Sequence, residues 1–166
     1  IYAMYQGGAL NRVNLTTLGY TDIQPASPDT ADLRFAWNAA LALDPNDRDG
    51  VYFGSNRVHY SPDRGRTWET LSPDLTTNDP AKLEQATSGG LTIDATQAEN
   101  HCTILCIAPS KARPNELWVG TDDGRLQHSA DRGATWTDHA DQLKGLPEGS
   151  WIPFIHVSPH SPDEVY

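Results

Sequence analysis

One eight-residue pattern occurs twice in this chain. Ser61-Pro-Asp63-Arg-Gly65-Arg-Thr67-Trp68 and Ser129-Ala-Asp131-Arg-Gly133-Ala-Thr135-Trp136 both read S-x-D-x-G-x-T-W, with the two aspartates 68 positions apart. Internal repetition constrains a fold more than any single residue can, because each copy must form the same unit and pack on its neighbour. The echo runs beyond the motif. Upstream, Val51-Tyr-Phe-Gly54 matches Leu117-Trp-Val-Gly120, both short, apolar and β-prone. Before those, Leu43-Asp-Pro45, Ile107-Ala-Pro109 and Val157-Ser-Pro159 each end an apolar run at a proline.

The unit is therefore a strand, a Pro-rich turn, a strand ending in Gly, a loop, a strand, the S-x-D-x-G-x-T-W turn, and a strand led by Trp. Four-stranded antiparallel units repeated around an axis are propeller blades. The expected fold is all-β: blades of four antiparallel strands, a to d, in an incomplete ring of about three. Residues 1–25 read as a degenerate unit entered at strand b, with Tyr20 in the Trp place. Residues 35–75 and 101–143 read as the two full units, and 151–166 as the start of another. The count is 13 strands, with local helix only over Pro80 to Gln85. Half-blades leave strand edges that invite pairing. The expected partners are the remaining blades of a longer chain, or another chain at those edges.

The repeated residues have structural work to do. Gly65 and Gly133 supply the positive φ of a c–d turn. Asp63 and Asp131 accept backbone N–H bonds inside it, with Ser61, Thr67, Ser129 and Thr135 around them. Trp68 and Trp136 are expected to begin the outer strands, largely buried, with turn donors held under the ring. A catalytic aspartate is needed once; a brace is needed in every blade.

These turns resemble the Asp-box of bacterial neuraminidases, of propeller xyloglucanases and of sortilin-type receptor ectodomains. Ser72-Pro-Asp-Leu-Thr-Thr-Asn-Asp79, Trp118-Val-Gly-Thr-Asp-Asp-Gly124, Gly145-Leu-Pro147 and Tyr5-Gln-Gly-Gly8 are most similar to bacterial sortilin-like proteins, often labelled glycosyl-hydrolase-like. The resemblance implies an extracytoplasmic propeller. It does not imply one activity, since a fold hosts many functions.

The formal net charge of −10 argues against a nucleic-acid partner and an anionic membrane surface. No apolar run approaches the ~20 residues that span a bilayer. Cys102 and Cys106 fall in an apolar run expected to be strand, on one face and roughly 13 Å apart, too far for a disulfide. They read as free thiols. Asp44-Pro-Asn-Asp-Arg-Asp-Gly50 hints at calcium but fails the EF-hand spacing. No metal and no cofactor are expected.

Strand alternation places the d-to-a connections and the b–c loops on one face. That face carries the long segment from Thr76 to Asn100 and the loop Thr121-Asp-Asp-Gly124, so any site is expected there. Trp37, Asn38, Arg57, His101 and Trp151 are candidate ligand contacts near the mouth of a central channel. The two tryptophans suit stacking on a sugar or a peptide, and inter-blade packing is the alternative. Asp122 and Asp123 read as a solvated turn, or as carboxylates facing Glu99 for general acid–base hydrolysis of a glycoside. Two functions stay open: a binding module for peptide or glycan, and part of a glycoside hydrolase.

Overall fold

The computed structural model describes residues 1–26, 33–84, 100–161 and 163–166. The chain is all-β, and its sheets are blades of a β-propeller, about three of them in an incomplete ring. The first sheet joins β1 (Tyr2–Met4), β2 (Leu10–Val13) and β3 (Tyr20–Asp22). The second joins β4 (Leu41–Leu43), β5 (Val51–Gly54), β6 (Val58–Ser61) and β7 (Glu69–Thr70). The third joins β8 (Ile104–Pro109), β9 (Leu117–Thr121), β10 (Leu126–Ser129) and β11 (Thr137–Asp138). All pairings are antiparallel and sequential. Among the described residues one short α-helix, α1 (Pro80–Leu83), starts from an Asp79 side chain that accepts the Ala81 N–H.

The apolar cores lie between successive sheets. Leu10 and Ile23 of the first sheet meet Phe35, Ala39 and Phe53 of the second unit. Tyr52, Val58, Tyr60 and Leu71 of the second meet Ile104, Ile107, Leu117 and Val119 of the third. Phe53, Leu10, Ile104 and Leu117 are wholly buried, each such side chain contributing ~1.5–3 kcal/mol of transfer free energy. The glycine at or next to the end of each b strand makes room for the next unit. A Cβ on Gly54 would stand 2.9 Å from the Ile104 side chain, and one on Gly120 2.4 Å from Ile152 O. The Ile104 and Ile152 N–H groups donate to Ser55 O at 2.8 Å and Thr121 O at 3.0 Å. The two junctions share this hydrogen bond.

The S-x-D-x-G-x-T-W turns connect β6 to β7 and β10 to β11, and they do more than close a hairpin. Trp68 Nε1 donates to Ile23 O of the preceding sheet at 2.7 Å, and Trp136 Nε1 is shared between Leu71 O at 3.3 Å and Gly133 O of its own turn at 3.1 Å. Gly65 (φ +85°) lies against the Ile23 side chain and Gly133 (φ +89°) against Leu71 O, where a Cβ would come within 2.5 Å in each case. The glycine is thus required twice, by φ and by close approach. Both tryptophans are half-buried and stand one residue before their strands, instead of beginning them and being largely buried. Their rings reach across to the neighbouring sheet, which leaves one face wet.

Inside the turn the work divides differently from expectation. Asp63 Oδ1 accepts from Arg66 N and Thr67 N at 2.9 and 2.8 Å, and Oδ2 from the Thr67 hydroxyl. These donors are exposed and are not held under the ring. The buried donor is the Gly65 N–H, and its acceptor is Ser61 Oγ at 2.6 Å. Ser129 Oγ does the same for Gly133 N at 2.8 Å. Arg64 N and Arg132 N, both in the left-handed region, donate to Asp49 O and Asn115 O. This ties each turn to the a–b turn of its own sheet.

Two further expectations change. Cys102 lies outside β8 with φ +58°, and a bulge separates Ile104 from Cys106, so the cysteines do not share a strand face. Both are free thiols. Ile152 to Val157 forms no strand; one bridge joins Val157 to Val165. The Ile152 N–H is taken by Thr121 O and Pro153 has no N–H, so ladder bonds begin only at His156. The described strands therefore number 11, not 13.

Because Ser61 satisfies a buried donor and Asp63 satisfies exposed ones, Ser61→Ala should lose ~1–3 kcal/mol of unfolding free energy. Asp63→Ala should lose less, since water replaces its bonds. Urea unfolding of the two variants checks the order; a costlier Asp63→Ala would place the brace in the carboxylate.

Candidate functional site

The b–c loops and the segments flanking β4, β7 and β8 converge on one face, and two loops use one device there. In the second unit, Asn56 Oδ1 accepts the Arg34 N–H at 3.1 Å and its Nδ2 donates to Asp74 at 2.9 Å. In the third, Asp122 Oδ1 accepts the Thr103 N–H at 2.9 Å and its Oδ2 the Thr103 hydroxyl at 2.7 Å. Each side chain thereby fastens the incoming inner segment to the b–c loop. Around Asn56, Arg34 pairs with Asp74 at 2.6 Å and donates from Nε to Cys102 O.

Asp123 binds the two units together. Its Oδ2 accepts both the N–H and the hydroxyl of Thr77, each at 2.7 Å, and its Oδ1 accepts the Thr121 hydroxyl at 2.6 Å. Asp122 and Asp123 are only 3% and 4% exposed, so the expected solvated turn is instead a buried, hydrogen-bonded one. A turn of carboxylates can be buried because every oxygen finds a donor. Burial raises the Asp122 pKa above the ordinary carboxylate value, against the opposing Thr103 bonds and the His101 ring. For Asp123 burial acts the same way but is outweighed by the Thr121 and Thr77 hydrogen bonds, which lower it.

The other candidates are spread. His101 is buried beside Asp122, its Nδ1 3.9 Å from Oδ1 and 3.5 Å from Cys102 Sγ. Trp37 and Asn38 sit in an exposed turn ahead of β4. Arg57 is half-buried, with no hydrogen-bond partner for its Nε among the described residues. Glu99 lies outside the described residues. The turn from Asp44 to Gly50 spends its carboxylates locally: Asp44 on Asn46 N and the Tyr52 hydroxyl, Asp47 on Asp49 N and the Tyr60 hydroxyl. Among the described residues no cluster of three or more His, Cys, Asp or Glu side chains is placed to hold a metal. No described helix is long and apolar enough to cross a membrane.

Beside Asp123 opens a polar hollow of about 390 Å³, lined by Thr77, Asp123, Arg125, Asp141, Glu148 and Ser150 among others. Arg125 is steered by Asp138 at 2.8 Å, and Asp141 and Glu148 are exposed. Gly145 and Gly149, both at positive φ, shape the wall that carries Glu148. Sequence reasoning passed over these residues. The available signal was the glycine-punctuated d-to-a connection after β11, the counterpart of the long one after β7. A second hollow, of about 420 Å³, is apolar and contains Trp118, Leu126, Leu143, Trp151 and Phe154. Trp151 therefore stands among apolar residues of the third sheet's open face.

The chain is similar to an oligoxyloglucan-reducing end-specific xyloglucanase from Emericella nidulans, 28% identical over 144 residues, covering 82% of this chain and 16% of that protein. It is 28% identical over 135 residues to a probable enzyme of the same name from Neosartorya fischeri, covering 76% of this chain and 14% of that one. It thus spans about a sixth of these relatives. No family model matches. Among solved structures, YCF48 from Cyanidioschyzon merolae aligns with TM-score 0.41 at 16% identity, over 79% of this chain and 30% of its own. A GH74 enzyme from Niastella koreensis aligns with TM-score 0.40 at 16% identity, over 83% and 17%.

Asn56 shows that a neutral amide can fill the Asp122 position. Asp122→Asn should keep the fold and raise the melting temperature near neutral pH, where the buried carboxylate is charged. A carboxyl with a raised folded pKa gains stability as pH falls from that pKa toward the ordinary carboxylate value, so the advantage of the variant should shrink in acid. Thermal melts across this range read it directly; a variant less stable than the parent at neutral pH would mean that the charge is needed.

Proposed function

We propose that this chain is part of an Asp-box propeller of an extracytoplasmic protein, and that its loop-rich face binds a glycan. The polar hollow beside Asp123 carries this reading. Its deep carboxylate is saturated by Thr77 and Thr121 and serves as wall. Exposed Asp141 and Glu148 remain free to accept from sugar hydroxyls. A groove of fixed acceptors with one steered guanidinium suits a neutral, hydroxyl-rich ligand.

A second reading is motivated by the 28% identity to xyloglucanases: the face is a subsite of a glycoside hydrolase. In that case Asp122 and Asp123 are too enclosed to touch a glycosidic oxygen, and the acid and base would be Asp141 and Glu148 or carboxyls elsewhere in the longer protein. The full-length protein should be titrated calorimetrically with xyloglucan oligosaccharides and assayed for released product. Binding without turnover, weakened roughly tenfold (~1.4 kcal/mol) by Asp141→Asn with Glu148→Gln, is expected. Turnover abolished by that pair would favour the hydrolase; unchanged binding would remove the hollow from the site.

The apolar hollow bears on partners. Trp118, His128 and His139 occupy the third unit as Tyr52, Tyr60 and Leu71 occupy the second, where the next sheet buries them. By that equivalence we propose that a further blade of the same polypeptide covers Trp151 and Phe154. In hydroxyl-radical footprinting of the full-length monomer, both should be labelled several-fold more slowly than Trp37. Equal labelling would mean that the face is open. Protection restricted to a dimer would mean that a second copy covers it.

A further inference from the structure

We infer that the groove between the first and second sheets, on the face of the S-x-D-x-G-x-T-W turns, is a second binding site, and that it takes an acidic glycan. Four arginines line a hollow of about 720 Å³ there: Arg12 from β2, Arg48 from the β4–β5 turn, and Arg64 and Arg66 from the first repeated turn. The chain as a whole carries a formal charge of −10, so this concentration runs against its composition.

The equivalent groove between the second and third sheets has a hollow of about 730 Å³ as well, and what distinguishes the two is how the arginine is used. There Arg132, the counterpart of Arg64, lies over the Tyr60 ring at 4.6 Å and 3.6 Å from Glu69. Tyr60 and Glu69 are cross-strand partners. The residues paired in the same way in the first sheet are Arg12 and Thr21. A cation has replaced the aromatic ring, and a hydroxyl has replaced the carboxylate. Arg64 finds Asp49 instead, at 2.7 Å, and accepts through its backbone carbonyl from Arg12 at 2.9 Å. Among the described residues Arg12, Arg48 and Arg66 form no ion pair with a carboxylate.

Three of the four guanidiniums that line this groove have no carboxylate partner among the described residues, and an incoming anion would supply one. Guanidinium forks match carboxylate and sulfate oxygens. The Asn14 side-chain amide donor and the Thr17 hydroxyl, both in the turn between β2 and β3, are placed in the lining to match sugar hydroxyls. The site lies on a different face from the polar hollow beside Asp123 and does not depend on the ligand proposed there.

The test uses the full-length protein with oligogalacturonate, its methyl-esterified neutral form, and a poly-glutamate peptide as probes, by calorimetry at low and moderate salt. Oligogalacturonate should bind saturably and more weakly as salt rises. The neutral ester should not bind. Arg48→Gln with Arg66→Gln should weaken binding roughly tenfold, with the melting temperature unchanged, because neither side chain holds the fold. Unaltered affinity in the double variant, or equal binding of the neutral ester, overturns the site. Tighter binding of poly-glutamate, lost in the same double variant, overturns the glycan and makes the groove a peptide surface.

Discussion

The indole N–H of Trp68 leaves its own sheet and closes on Ile23 O, while Gly65 lets the turn backbone lie against the same isoleucine. The third unit does the same on Leu71 with Trp136 and Gly133, with the indole N–H shared between Leu71 O and Gly133 O. Everything between the sheets depends on that contact. Single four-stranded sheets this short bury little by themselves, and the cores of this chain lie at the junctions. A polar anchor at the rim fixes the angle at which one sheet meets the next, and the apolar residues then fill a gap of constant shape. The Ser Oγ that holds Gly65 N inside the turn is therefore a condition of the junction as well as of the hairpin.

A frame of this kind separates support from chemistry. The junction residues recur, and the loop residues at matching places vary. Asn56 and Asp122 perform the same backbone capture with different charge. Tyr60 and Arg12 stand at matching places with opposite consequences for the arginine that approaches them. Comparing the units within one chain reveals which side chains hold the frame and which have been released from that duty.

The buried carboxylates illustrate the cost and use of polar groups on the loop face. Asp122 and Asp123 are adjacent, nearly inaccessible and oppositely shifted, because one is dominated by burial and the other by three hydroxyl and amide donors. Thr77 supplies two of those donors from the connection that follows the second sheet. The hollow beside Asp123 is thus held open by a bond between two units, and neither unit could form it alone.

Period, turn chemistry and alternation were readable along the chain, since Gly at a positive-φ turn, Trp after it and apolar runs of strand length are local requirements. They determined the four-stranded units, their order and the face on which loops collect. What a local pattern cannot contain is the identity of a neighbour distant in sequence. That Trp68 bonds to Ile23, that Cys102 turns left-handed out of β8, and that Asp123 is captured by Thr77 are decided by how units stack. An Asp-Asp-Gly turn looks solvated until another unit brings donors to it. The sequence by itself determined the blade, because hydrogen bonding within a sheet is set by residues close in order; the tertiary structure decided the burial, charge and grouping of the side chains, because those depend on distances between units.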